Sequence, residues 1–215
     1  LLTGLFLWVF PNNILDTGYA DLAPLFFVAP WVFLFLVPAV TMRSFSEEKR
    51  TGTIELLLTK PLTELQLVLA KYIAAVILIV FALLPTLVYW YSLHDLAMPR
   101  GNLDTGGIIG SYIGLLLLAS CFAAIGVFAS SITENQVVAF MIAVFLCFFL
   151  YLGFDLIASF DAFGALEGPI KSIGIQDHYN SLSRGVLDLR DVLYFLGTIT
   201  VFLLLTRTAL QSRRW

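Results

Sequence analysis

Two adjacent carboxylates, Glu47 and Glu48, stand in the only long charge-dense run of the chain, residues 44–66, SFSEEKRTGTIELLLTKPLTELQ. Paired carboxylates can divide general-acid and general-base work or join a histidine around a metal, and between apolar segments they raise the possibility of an intramembrane protease. The partners for that chemistry are missing. The only histidines, His94 and His178, fall in loops that the charge pattern below places on the opposite side of the membrane. No apolar stretch holds a histidine to activate a serine, and none carries an ionisable residue at mid-span for a proton relay or an ion-coupled carrier. A phosphate-binding loop needs Gly before its Lys, whereas Lys49, Lys60, Lys71 and Lys171 follow Glu48, Thr59, Ala70 and Ile170. Cys121 and Cys147 lie inside apolar segments without metal or disulfide spacing and read as core residues. No catalytic residue, metal or cofactor is expected, and what is left for the acidic pair is contact.

The elements around the pair fit that role. Gly52 can stop a preceding helix, Thr53 can cap a new one, and Pro61 ends the piece after Lys60. This isolates residues 53–59, TIELLLT, as a short presented helix in which Leu56, Leu57 and Leu58 are apolar knobs beside Glu55, a pattern suited to docking in a groove. Thr63 and Gln66 form a capping box that launches the next helix. Two plainer readings stand beside these. Residues 53–58 can be an amphipathic connector lying on lipid, and Glu47, Glu48, Lys49 and Arg50 can be a solvated helix end that anchors by charge.

At 60% hydrophobic and 13% charged, the chain departs too far from an ordinary soluble domain to be one, and an all-α polytopic membrane protein is expected. Residues 1–10 carry no basic region or cleavage site, so no signal peptide is read; ten residues rise only about 15 Å, half a bilayer core, and are taken as the tail of a first span. Residues 11–21 are turn-rich and lack Lys and Arg. Further spans are expected over 22–42, with Pro24, Pro30 and Pro38; over 72–93, with Pro85 and an aromatic belt at Tyr89, Trp90 and Tyr91; over 106–131; over 136–154; and over 192–206, extended by 189–191 at its outer end. Eight of the twelve basic residues (Arg43, Lys49, Arg50, Lys60, Lys71, Arg207, Arg213 and Arg214) fall on one side, and Arg100, Lys171, Arg184 and Arg190 fall on the other among ten acidic ones. The basic side is read as cytoplasmic, giving six helices, the first truncated, with both termini inside. The chain is thus one transmembrane domain over residues 1–215, with a cytoplasmic loop at 43–66 and an outer segment at 155–190.

Two further stretches have a pattern. Gly106, Gly110 and Gly114 recur every fourth residue, with Ala119 and Ala123 beyond, and such a face lets another helix approach closely, whether from a second subunit or from the same chain. The outer segment, with Phe160, Phe163, Leu166, Ile170, Ile173 and Ile175, is too apolar for a solvated loop and is expected to form short helices at the membrane surface. Within it His178, Arg184, Asp188 and Asp191 are read as a hydrogen-bonded, ion-paired cluster that fixes the start of the last helix.

Residues 45–61, FSEEKRTGTIELLLTKP, resemble the cytoplasmic loop of ABC-2 class permeases of ABC transporters, where an E-E-[KR]-[KR]-x-G-T-[ILV]-E-x-L-L-x-[ST]-P-like segment lies between the second and third membrane helices. Residues 177–195, DHYNSLSRGVLDLRDVLYF, resemble that family's H-[FY]-x-x-[FIL]-x-R-G-V-[IL]-D-x-[RK]-D-[VL]-x-[YF] run before the last span, in which Gly185 falls on the glycine of the pattern. Together the two are most similar to the gliding-motility-associated permeases, with those of nitrous-oxide reductase maturation beside them. The paired glutamates of the CAAX-type membrane proteases are a poorer match, since that pattern wants Arg where Gly52 stands. The resemblance implies a permease subunit of an export-type ABC transporter in a bacterial cytoplasmic membrane. ATP would be bound by a separate ATP-binding cassette subunit docked on Glu47, Glu48, Arg50, Gly52, Thr53, Glu55, Leu56, Leu57 and Leu58. It also implies a second permease chain, alike or different, lipid as the surrounding partner, and no nucleic acid. A non-catalytic membrane scaffold is the alternative, and the intramembrane protease a more distant one.

Overall fold

The computed structural model describes residues 2–9, 21–58, 63–98, 103–159 and 167–212. All the regular structure among them is helical: α1 (Leu2–Trp8), α2 (Ala23–Thr41), α3 (Ser46–Arg50), α4 (Thr53–Leu58), α5 (Glu64–Leu83), a 3₁₀ turn (Leu84–Thr86), α6 (Leu87–Leu96), α7 (Thr105–Ile132), α8 (Gln136–Phe148), a π turn (Phe149–Gly153), α9 (Phe154–Ala158), α10 (Glu167–Lys171), α11 (Ile175–Leu182) and α12 (Leu189–Gln211). Five helical runs, Ala23–Arg50, Glu64–Leu96, Thr105–Ile132, Gln136–Ala158 and Leu189–Gln211, are long and apolar enough to cross a membrane. Of the first span expected, residues 2–8 form the short helix α1, which packs against α2. The loop read at 11–21 lies, apart from Asp21, outside the described residues, as do Lys60, Pro61, Arg100, Phe160, Phe163, Leu166, Arg213 and Arg214.

A proline inside a helix removes a hydrogen bond and frees the carbonyl four residues before it. Pro24 sits at the start of α2, where no bond is lost. Pro30 lies inside α2 and leaves the carbonyl of Phe26 without its amide donor. The Tyr179 hydroxyl, from α11, donates to that carbonyl at 2.8 Å in a buried setting. Burial pushes the Tyr179 phenol well above its ordinary pKa, so it stays protonated and keeps donating. Pro85 does more: it breaks the run after α5 into the 3₁₀ turn, where Tyr112 of α7 donates to the Thr86 carbonyl at 3.0 Å. The span expected at 72–93 is longer than read, because its capped start at Thr63 and its end at Leu96 both extend past the purely apolar stretch; His94 accordingly stands in α6 and not in a loop.

The bundle is built around α7, whose apolar window is 78% buried where those of the other four spans are 22–50% buried. It packs against α2, α5, α8, α11 and α12. Lipid gives little hydrophobic drive to join apolar helices, so the association depends on close backbone approach and on polar contacts. Small residues provide that approach. A Cβ at Gly110 would stand 2.5 Å from the Gly185 carbonyl, and one at Gly114 would stand 2.5 Å from the Leu182 Cβ. At the other end of α7, Gly126 is pressed on Thr41 of α2. The close approach expected of Gly106, Gly110 and Gly114 is therefore made, at Gly110 and Gly114, inside the same chain. Gly106 is exposed and has only the Asp104 side chain near it; its neighbour Gly107, a quarter of a turn round, meets Gly185 instead. Gly185 can lie there because it adopts a φ of +80°, open to glycine at no steric cost.

Gly110→Ala should lower stability in detergent by about 1–3 kcal/mol, since the backbone it meets cannot rotate aside. Gly197→Ala, on an open face of α12 with nothing within 4 Å, should be neutral or slightly stabilising. Thermal unfolding midpoints of the two variants against wild type check the contrast.

Candidate functional site

The charge-dense run folds as an elbow at one end of α7. After α2 the chain turns through residues 42–45 and forms α3, whose residues Phe45, Ser46 and Lys49 face inward and are buried while Glu47 and Arg50 face out. That division follows the helical period: 45, 46 and 49 share a face. The Ser46 hydroxyl donates to the Met42 carbonyl and closes the turn. Thr51 donates to the Glu47 carbonyl at 2.9 Å, and the Gly52 amide donates to the Lys49 carbonyl at 3.2 Å, so α3 ends cleanly. Gly52 then reverses the chain at φ +72°, and α4 begins.

Lys49 decides how the elbow is held. Its ammonium donates to the carbonyl of Ser131, in the last turn of α7. The final carbonyls of a helix have no intrahelical donor and carry the negative end of its dipole, so a buried cation there satisfies an acceptor and a field together. Glu48, beside it, forms an ion pair with Lys71 of α5, and Lys71 also lies 6.0 Å from the Phe45 ring. Because both partners of that ion pair are partly exposed, it adds little stability by itself; its effect is directional, tying α3 to the base of α5. α3 also packs against the ends of α7 and α8.

The expected contact residues therefore divide. Glu47, Arg50, Gly52, Thr53 and Glu55 form an exposed edge across α3 and α4. Glu48 is turned inward to Lys71 and Lys49 is buried, so of the four charges Glu47 and Arg50 alone are exposed at the helix end. Thr53 is the first helical residue and not a cap; its hydroxyl lies 2.9 Å from that of Thr51 and 3.4 Å from the Glu48 carbonyl, holding the corner. Ile54 is half-buried against the bundle core. Leu56, Leu57 and Leu58 are helical in backbone, and their side chains lie outside the described residues. The capping box forms as read: the Gln66 amide donates to Thr63 Oγ1 at 3.3 Å, and the Thr63 amide donates to Gln66 Oε1 at 2.9 Å.

At the other end of α7, some 20 residues or about 30 Å away along its axis, the expected cluster of four separates. His178 and Asp191 are a buried pair, Nδ1 to Oδ1 2.7 Å, with the second ring nitrogen 2.9 Å from the Ser172 carbonyl and Tyr194 stacked at 3.9 Å. Nε2–H donates to that carbonyl, and Nδ1 is hydrogen-bonded to the Asp191 carboxyl, which pins α11 to the first turn of α12. Asp188 instead caps α12, accepting from the Arg190 amide at 3.1 Å. Arg184 is exposed and turned to a pocket beside α2. Among the described residues no group of three His, Cys, Asp or Glu converges on a metal position.

Lys49 was not among the contact residues read from the sequence, nor was its acceptor. The acceptor lies 82 positions on, and nothing local in EEKR tells which of its charges turns inward. The Tyr179 bond did have a signal, since Pro30 identifies the Phe26 carbonyl as the one left free.

The family model described as ABC-2 family transporter protein matches residues 12–214. No curated protein gives a match to this chain.

Lys49→Met keeps the stem and removes the donor, leaving the Ser131 carbonyl without its cation. The expected result is a loss of about 1–3 kcal/mol and a new protease-sensitive site at residues 50–53, read by limited digestion with a protease that does not cut at lysine.

Proposed function

This chain belongs to the ABC-2 transporter family, as a membrane permease of an ABC transporter, and from that premise we propose that residues 43–66 are the coupling loop on which a separate ATP-binding cassette subunit docks. The observation that carries the reading is the elbow itself. Its outer edge presents Glu47, Arg50, Gly52, Thr53 and Glu55, while its inner edge is fastened to α7 through Lys49 and to α5 through Glu48. A force applied to α4 is in this way delivered to the most buried helix of the bundle. Leu56, Leu57 and Leu58 are the apolar anchors we assign to the groove of the ATPase. ATP is then bound and hydrolysed by the partner, and this chain moves the substrate path.

In this reading the loop side is cytoplasmic, both termini lie inside, and the membrane is the bacterial cytoplasmic one, supported by the eight-to-four split of basic residues. One permease supplies half of a pathway, so a second chain, alike or different, pairs with it. With Gly110 and Gly114 occupied within the chain, the lipid-facing helices are the surfaces left for that partner. Export as the direction, and an association with gliding motility or secretion, rest on the likeness of residues 45–61 and 177–195 to those permeases.

The test is Leu57→Asp in the complete transporter, purified through a tag on this chain. The ATP-binding subunit should no longer co-purify, and ATP turnover in the purified fraction should fall at least roughly tenfold, as for loss of a central apolar anchor. The variant should still insert and elute at the size of the folded membrane subunit. Normal co-purification and turnover in that variant would show that the ATPase docks elsewhere.

A further inference from the structure

A pocket of about 250 Å³ opens between the start of α2, the π turn and α11, at the end of the bundle away from the elbow. One wall is aromatic, with Phe26, Phe27 and Trp31 on α2 and Tyr151 in the π turn. The other is polar, with Gln176, Asn180 and Arg184 from α11 and the turn after it. Two of these polar groups have no partner among the described residues. The side-chain oxygen of Gln176 is buried and accepts nothing, and the Arg184 guanidinium makes no ion pair or hydrogen bond. A buried acceptor without a donor is unfavourable, and a guanidinium facing an aromatic-walled pocket draws an anion with planar oxygens. The pocket is the size of a headgroup and too small for a whole amphiphile.

The space for the remainder adjoins it. Phe27 and Trp31 also line an open groove of about 640 Å³ that runs down the outside of α2 past Phe35 and Leu36 to Ala39. From 27 to 39 the helix rises about 18 Å, and Phe27, Trp31 and Phe35 lie four apart along it, each well exposed. The groove is almost wholly apolar. A polar pocket with one cation and one free acceptor, sharing a wall with an apolar channel parallel to a membrane-crossing helix, has the shape and chemistry of a site for a single-molecule amphiphile.

We propose that α2, the π turn and α11 form a specific binding site for an anionic membrane amphiphile. Its phosphate or carboxylate pairs with Arg184, a hydroxyl or ammonium of its headgroup donates to Gln176, and its chain lies in the groove along Phe27, Trp31 and Phe35. The site does not depend on the coupling reading, since it needs neither nucleotide nor the elbow. The π turn fits a binding role: it displaces the Tyr151 side chain from the regular helical position, and such turns recur at functional sites.

The test reads Trp31 fluorescence in the full chain reconstituted with dibrominated lipid, the Trp31→Phe variant supplying the background from the other tryptophans. Brominated phosphatidylglycerol, which has a phosphate beside hydroxyls, should half-quench Trp31 at a mole fraction roughly fivefold lower than brominated phosphatidylcholine, the scale of one cation beside an anionic headgroup. Arg184→Gln, an exposed position where folding is safe, should abolish the difference, and Gln176→Leu should reduce it. Equal quenching by the two lipids would mean ordinary lipid contact only and would overturn the proposal, as would a preference that survives Arg184→Gln. Absence of quenching by either lipid would mean that protein, such as a second permease copy, covers the groove, and would overturn it too.

Discussion

The fold depends on how closely other backbones can approach α7. Where Gly110, Gly114 and Gly126 stand, a single added carbon would collide with the chain opposite, so contact there is direct and leaves no slack. In a bilayer this matters more than in water, because burying one apolar helix against another gains little over burying it against lipid. What holds helices together is close packing and the polar bonds that close packing permits. α7 has both at each end: Gly107 and Gly110 against Gly185, with Ser111 Oγ 2.8 Å from the Ser183 carbonyl, and Gly126 against Thr41, with Ser131 accepting from Lys49.

The same economy explains the polar contacts. A backbone carbonyl without a donor inside a membrane is costly, and two of the long-range hydrogen bonds among the described residues go to carbonyls that helix geometry leaves open. Pro30 opens Phe26 and Tyr179 closes it; the end of α7 opens Ser131 and Lys49 closes it; and Tyr112 donates to the Thr86 carbonyl beside the break at Pro85. Each closure is also a strut between elements that are distant in sequence. The elbow connects the exposed edge of the loop to the helix that spans the whole bundle. Through Gly110, Gly114 and Gly185 that helix is in turn joined to α11, whose residues line the headgroup-sized pocket.

Much of this could be read from residues. Apolar length located the spans, and α12 begins at Leu189, as its shortness required. Gly52 and the Thr63–Gln66 box marked the loop corners because their signals are local: a backbone that needs positive φ, and a side chain that reaches three residues. What was not legible depends on contacts far apart in the chain. Spacing announced that the glycine face would be close-packed, yet gave no partner, and it named Gly106 where Gly107 makes the contact. Four charged residues before Gly52 look alike in sequence, and only the position of Ser131 decides that Lys49 turns inward. Likewise His178 and Asp191 pair while Asp188 and Arg184, equally plausible by spacing, are used elsewhere. The π turn has no sequence mark, and the pocket that it borders was invisible without it.

With Lys49 bonded to the end of α7, α3 is a fixed wedge and not a mobile stretch of loop. Hydrogen–deuterium exchange of the intact protein tests this at the amides of Lys49, Thr51 and Gly52, which donate to the Phe45, Glu47 and Lys49 carbonyls. A five-residue helix protects nothing in isolation, so slow exchange there, close to that of the adjoining last turn of α7, is the result expected of a wedge held by Lys49. Exchange at these three amides as fast as in an unstructured loop, with α7 still protected, would contradict it.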